Sequence, residues 1–96
     1  MSNQALDIGY KLLKAMGNFR RLQILFEIRK QEKSVGELCK AIGLGQSALS
    51  QHLAILRKAK LVRTRRNAQT IYYSISNAVV LNILSLLDRF YNQNYK

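Results

Sequence analysis

Ninety-six residues make one domain, with a core modest enough that a second surface to bury apolar area is expected. With 48% hydrophobic residues, no proline and five glycines, the composition excludes low-complexity and disordered classes, and no internal repeat occurs. Sixteen Lys and Arg against five Asp and Glu leave a formal net charge of +11, which points to a polyanion: nucleic acid first, an anionic membrane surface second.

The first segment, QALDIGYKLLKAM, places Leu6, Ile8, Leu12, Leu13 and Met16 mostly along one stripe of a helix over about residues 4–16. Gly17 and Asn18 follow as a stop and a new N-cap. It has no signal-peptide order, and no apolar run approaches the roughly 18 residues that span a bilayer, so a soluble, cytoplasmic protein is expected.

FRRLQILFEIRKQ repeats Leu22, Leu25, Phe26 and Ile28 at helical spacing and reads as a second helix through Gln31. Ser34 and Glu37 in SVGE match a capping box, opening a short third helix, SVGELCKAI, that turns Val35, Leu38 and Ile42 inward. The stretch GLG then turns the chain, because glycine accepts the positive φ of a tight helix end.

Gln46 to Lys58 is the fourth helix, with Leu49, Leu53 and Leu56 at i, i+4 and i+7 as its buried stripe. Ser47, Ser50, Gln51, Ala54 and Lys58 are left facing outward. Two short helices joined by a glycine turn, the second with small polar side chains on its free face, match a helix-turn-helix whose second helix enters the major groove.

Beyond Lys60 the spacing changes to alternation. LVRTRR and TIYYSI read as two strands, with Ile71, Tyr73 and Ile75 on one side and Thr70, Tyr72 and Ser74 on the other. Asn67 is the residue best suited to a left-handed turn, since no glycine is present. The tip, Arg65 to Gln69, is basic and polar, as suits a wing lying on a phosphate backbone. SNAVVLNILSLLDRFY closes the chain as a helix capped by Ser76 or Asn77 and apolar around most of its circumference. With the first helix, it is the expected dimer interface, over about residues 77–92.

The fold class is therefore mainly α with a small β-hairpin wing: about five helices and a two-stranded wing in one domain spanning residues 1–96. Between residues 38 and 87 no acid opposes Lys40, Arg57, Lys58, Lys60, Arg63, Arg65 and Arg66.

QSALSQHL, residues 46–53, holds two serines, two glutamines and the only histidine, His52. Catalysis by a serine and a histidine needs contact between them, yet Ser50 and His52 point about 200° apart on a helix, and Ser47 lies five residues from His52. No nearby acid orients the imidazole, and no G-x-S-x-G elbow or Gly-rich phosphate loop occurs, so no enzymatic role is expected. Base reading needs short donors and acceptors flanked by cations. Gln46, Ser47, Ser50 and Gln51 supply the first, while Arg57, Arg65 and Arg66 supply the second. His52 fits either a half-buried packing role or a phosphate contact from the helix flank.

One histidine and one cysteine cannot build a zinc site within the chain, and one cysteine cannot form an internal disulfide, which suits a reducing compartment. Cys39, next to inward-facing Leu38, is either an inert thiol or a thiol sensor, the latter needing exposure and a lowered pKa. No cofactor is implied.

LLKAMGNFRRLQIL, SVGELCKAIGLGQSALSQHLAILRKAKLV and RTRRNAQTIYYSI together resemble the ArsR-type (ArsR/SmtB) winged helix-turn-helix repressors, in particular the branch of HlyU, BigR, SqrR and NolR. The resemblance covers nearly the whole chain. It implies a homodimer joined through the first and last helices on a pseudo-palindromic double-stranded DNA operator, with release on binding an inducer whose identity the residues do not name. By position it implies Gln46, Ser47, Ser50, Gln51 and His52 in the groove and Arg65, Arg66 and Gln69 on the wing. Metal-sensing members carry a Cys-x-Cys box where Ser34 and Gly36 stand, and Asp, His and Glu ligands on the last helix that are missing here. The sulfur-sensing branch pairs a cysteine equivalent to Cys39 with a second near the C-terminus, where Asn92 stands. The alternative class is a basic nucleoid-type architectural or RNA-binding module without an inducer.

Overall fold

Side-chain caps set where most of the helices begin. Ser2 Oγ accepts the amide of Ala5, Asn18 Oδ1 that of Arg21, and Asn77 Oδ1 that of Val79. At Ser34 the expected reciprocal box forms: Glu37 N donates to Ser34 Oγ at 3.2 Å and Ser34 N donates to the Glu37 carboxylate at 2.8 Å. Bonding to the carboxylate from the Ser34 amide, and then from the Ser34 hydroxyl, lowers the Glu37 pKa.

The computed structural model describes residues 1–95. From these caps the chain runs α1 (Asn3–Met16), α2 (Phe19–Ile28), β1 (Lys33–Ser34), α3 (Val35–Ile42), α4 (Gln46–Lys58), β2 (Val62–Asn67), β3 (Thr70–Ile75) and α5 (Ala78–Asn94). This is the five-helix winged helix-turn-helix expected from the sequence, with two local corrections.

First, α2 ends at Ile28 rather than continuing to Gln31, and the wing has a third strand. Lys33 and Ser34 pair antiparallel with Tyr73 and Tyr72, giving the sheet order β1-β3-β2. A two-residue strand has no periodicity to read, and only its partner reveals it.

Second, the hairpin turn places Ala68, not Asn67, in the left-handed region, at φ 57°, while Asn67 stays in the ladder opposite Thr70. Lys60 adopts the same region at φ 64° just after α4. Its amide bonds Arg57 O and the Leu61 amide bonds Leu56 O, the Schellman arrangement that closes a helix C-terminus, here without glycine. Ser76 holds this corner through its amide to Leu61 O and its hydroxyl to Lys60 O. Gly43, at φ 75°, ends α3 as expected.

The core is one cluster. Ile24, Leu25 and Ile28 from α2, Leu38 from α3, Leu49, Leu53 and Leu56 from α4, Leu61 and Val62 from the start of the wing, Tyr73 from β3, and Val80 and Leu84 from α5 are all buried. Among the described residues, no polar or charged side chain is buried with them. The predicted α1 stripe is only partly used: Met16 is buried and Leu12 packs on the core, whereas Leu6, Ile8 and Leu13 stay exposed. α5 lies on β3 and exposes Val79, Leu86, Phe90 and Tyr91.

Candidate nucleic-acid interface

Burial of Leu49, Leu53 and Leu56 fixes the roll of α4 about its axis, which decides what its other faces present. Gln46, Ser47, Ser50, Gln51, Ala54, Arg57 and Lys58 are consequently exposed on one continuous surface. α3 packs against α4 across the Gly43–Gly45 turn, so the helix pair and its outward polar face are held as one unit.

His52 sits on the flank, half-buried. Arg21 Nη1 lies 3.2 Å from His52 Nδ1 and can only donate, so Nδ1 is the acceptor and the ring proton of the neutral imidazole is on Nε2. Partial burial, then the Arg21 and Arg20 cations, lower the imidazole pKa. Arg21 also donates from Nε to Ala15 O at 2.6 Å. One guanidinium thus ties the last turn of α1 to the middle of α4. Sequence reading passed over Arg21, since a contact across 31 positions leaves no local pattern.

On the wing, Arg66 and Gln69 are exposed, and Arg66 has no carboxylate partner among the described residues. Arg65 is different. Its Nε donates to both oxygens of Glu32 at 3.0 and 3.1 Å, its Nη2 also reaches Glu32, and its guanidinium carbon stands 4.7 Å from the centre of the Tyr72 ring. Hydrogen bonding from Arg65 holds the Glu32 carboxyl below its ordinary pKa and raises that of Arg65 in return. The acid-free span of the sequence is therefore not acid-free in space, because the residues between α2 and β1 fold onto the wing.

Each of the five acids is occupied: Asp7 with Lys11, Glu27 with Lys33, Glu32 with Arg65, Asp88 with Arg29, and Glu37 in its cap. Arg57, Lys58, Lys60 and Arg66 consequently present their charge to solvent beside the polar face of α4.

Cys39 is half-buried and packs on the core from α3. Among the described residues, no three His, Cys, Asp or Glu side chains come together as a metal site would require. No described helix is long and apolar enough to cross a membrane.

A rigid helix-turn-helix with a polar, cation-flanked second helix and an adjoining hairpin is the architecture of winged-helix DNA-binding proteins. Residues 19–64 match the family model for bacterial regulatory proteins of the arsR family. The chain is 55% identical over 82 residues to the transcriptional activator HlyU of Vibrio cholerae, covering 85% of this chain and 76% of HlyU. The structure of reduced HlyU from the same organism superposes with a TM-score of 0.88 at 50% identity, over 92% of this chain and 93% of that one. Identity is 40% over 87 residues to the biofilm growth-associated repressor of Xylella fastidiosa, covering 91% of this chain and 75% of the repressor. A homodimeric winged helix-turn-helix DNA-binding domain from Mycobacterium bovis matches with a TM-score of 0.85 at 28% identity, over 100% of this chain and 92% of that one. The chain belongs to the arsR family of bacterial transcriptional regulators.

Proposed function

We propose that the protein is a homodimeric, cytoplasmic repressor of transcription without enzymatic activity, which places α4 in the major groove of a pseudo-palindromic operator. The observation that carries this reading is the roll of α4: the buried leucines leave Gln46, Ser47, Ser50 and Gln51 together on the outward face. Gln51 and Gln46 suit adenine, the serines suit base or phosphate, and Arg57, Arg66 and Gln69 suit the backbone. His52, with Nδ1 occupied, offers Nε2–H as its remaining donor. Among the relatives, HlyU of Vibrio cholerae is named an activator and the Xylella fastidiosa protein a repressor. Fusing the bound promoter to a reporter, with the protein present or deleted, fixes the sign; higher expression on deletion is the expected outcome.

Band-shift titration against specific and random DNA tests the core of the reading. A complex that forms equally well on random duplex, or that prefers structured RNA, would mean a nucleoid-type or RNA-binding module instead. The salt slope then separates the wing arginines. Each phosphate contact contributes about one unit to the dependence of log affinity on log salt. Arg66→Ala is expected to lower that slope by about one on every sequence. Arg65→Ala should change it little, since the Arg65 charge is already matched by Glu32, whereas Glu32→Gln should raise it towards one further contact.

Dimerisation through α1 and α5 is supported by apolar surface the monomer leaves unburied: Leu6, Tyr10 and Leu13 on α1, and Leu86, Leu87 and Phe90 on α5. Leu13→Glu or Leu87→Glu is expected to give monomers by sedimentation equilibrium. Operator affinity should fall with them by roughly 10²–10⁴-fold, because two half-sites are no longer engaged together.

A further inference from the structure

Between α1 and α4, bordering the outward polar face and sharing Lys58 with it, lies an open groove of about 500 Å³. Its floor is apolar, made by Ala15, Ile55 and Ala59; Lys14, Arg21 and Lys58 stand on its rim. Lys11 completes the rim and is paired with Asp7 at 3.0 Å, and among the described residues no carboxylate lines the groove itself. Ile55 remains 43% exposed there, an apolar side chain with nothing on it. Lys11 stands about 200° around α1 from Leu13, so the groove extends beyond the exposed α1 stripe of the proposed dimer, which borders it where Lys14 lies over the Tyr10 ring.

An inorganic anion would satisfy the rim and leave the floor wet, and a neutral hydrocarbon would do the reverse. An apolar body with one anionic head matches both. We propose that this groove is an effector site for a small amphipathic carboxylate whose head group binds Arg21. The Arg21 bonds to Ala15 O and His52 Nδ1 use two of its five N–H donors, leaving a fork for a carboxylate. Drawing the guanidinium toward the groove weakens its bond to His52 and with it the link between α1 and the reading helix. Ligand and operator then lower each other's affinity by one and the same factor. The ligand site stands on the groove alone, while its regulatory consequence rests on the DNA-binding reading above.

Calorimetric titration of the full chain with sodium decanoate, below its micellar concentration, tests the site. One saturable event per chain is expected, weakened about ten- to a hundredfold by Arg21→Gln and roughly two- to fivefold by Lys14→Gln. Lys14→Gln lies on the exposed rim and keeps the test valid should Arg21→Gln fail to fold. Absence of saturable binding, wild-type affinity in a folded Arg21→Gln, or wild-type affinity in Lys14→Gln should Arg21→Gln not fold, overturns the proposal. Equal binding of sodium sulfate would reduce the groove to a phosphate-contact face, and equal binding of decyl maltoside to a greasy patch; either also overturns it. Decanoate bound to a chain that forms no specific DNA complex would uphold the ligand site and remove the function proposed for α4. If decanoate binds but leaves operator affinity unchanged, the coupling through His52 is wrong.

Discussion

Gln51→Ala is expected to lower affinity for the specific operator by roughly 5- to 150-fold while leaving affinity for random DNA unchanged. Gln51 is exposed on the second turn of α4, so truncating its side chain opens no cavity. Its amide offers one donor and one acceptor edge, the pair that adenine presents in the major groove. Competition band-shifts with operator variants would show the effect confined to the base pair Gln51 reads. A uniform loss on all sequences would instead make Gln51 a backbone contact and shift the reading to Ser47 and Ser50.

Leu49→Ala is expected to act on the same helix by another route. Leu49 has no exposed surface and lies in the core beside Leu53 and Leu56. Truncating such a side chain costs about 2–5 kcal/mol through lost burial and the cavity left behind. Small domains hold about 5–15 kcal/mol in total. At roughly 4–8 °C per kcal/mol for a chain of this size, the thermal midpoint by circular dichroism should fall by about 8–40 °C or the cooperative transition should vanish. Specific and non-specific binding should then decline together with the folded fraction. The contrast with Gln51→Ala separates two faces of one helix: what Leu49 holds, Gln51 uses. A midpoint unchanged by Leu49→Ala would mean that α4 is not anchored where the core places it.

The two outcomes also explain which features could be read without coordinates. The α4 limits, its leucine stripe and its outward set follow from spacing of 3.6 residues per turn, a local property that every residue in QSALSQHLAILRK expresses. The capping box at Ser34 and Glu37 is equally local, three residues apart. The apolar surplus of α5 was legible in the same way, as an excess that one packing face cannot absorb.

What depended on the tertiary structure was every pairing across distance. The sequence by itself determined a basic, disulfide-free domain with a helix-turn-helix, a reading face and a hairpin, because each of these is written in neighbouring residues. Only the folded chain decided that β1 joins the wing, that Glu32 takes Arg65 rather than Arg66, and that Arg21 reaches His52 from 31 residues away. It also moved the left-handed turn from Asn67 to Ala68, against intrinsic preference. The hairpin register opposes Asn67 to Thr70, and ladder pairing across six positions outweighs the modest cost of one strained alanine. Local chemistry thus marks which residues can act, and contacts between distant segments decide which of them are left free to do so.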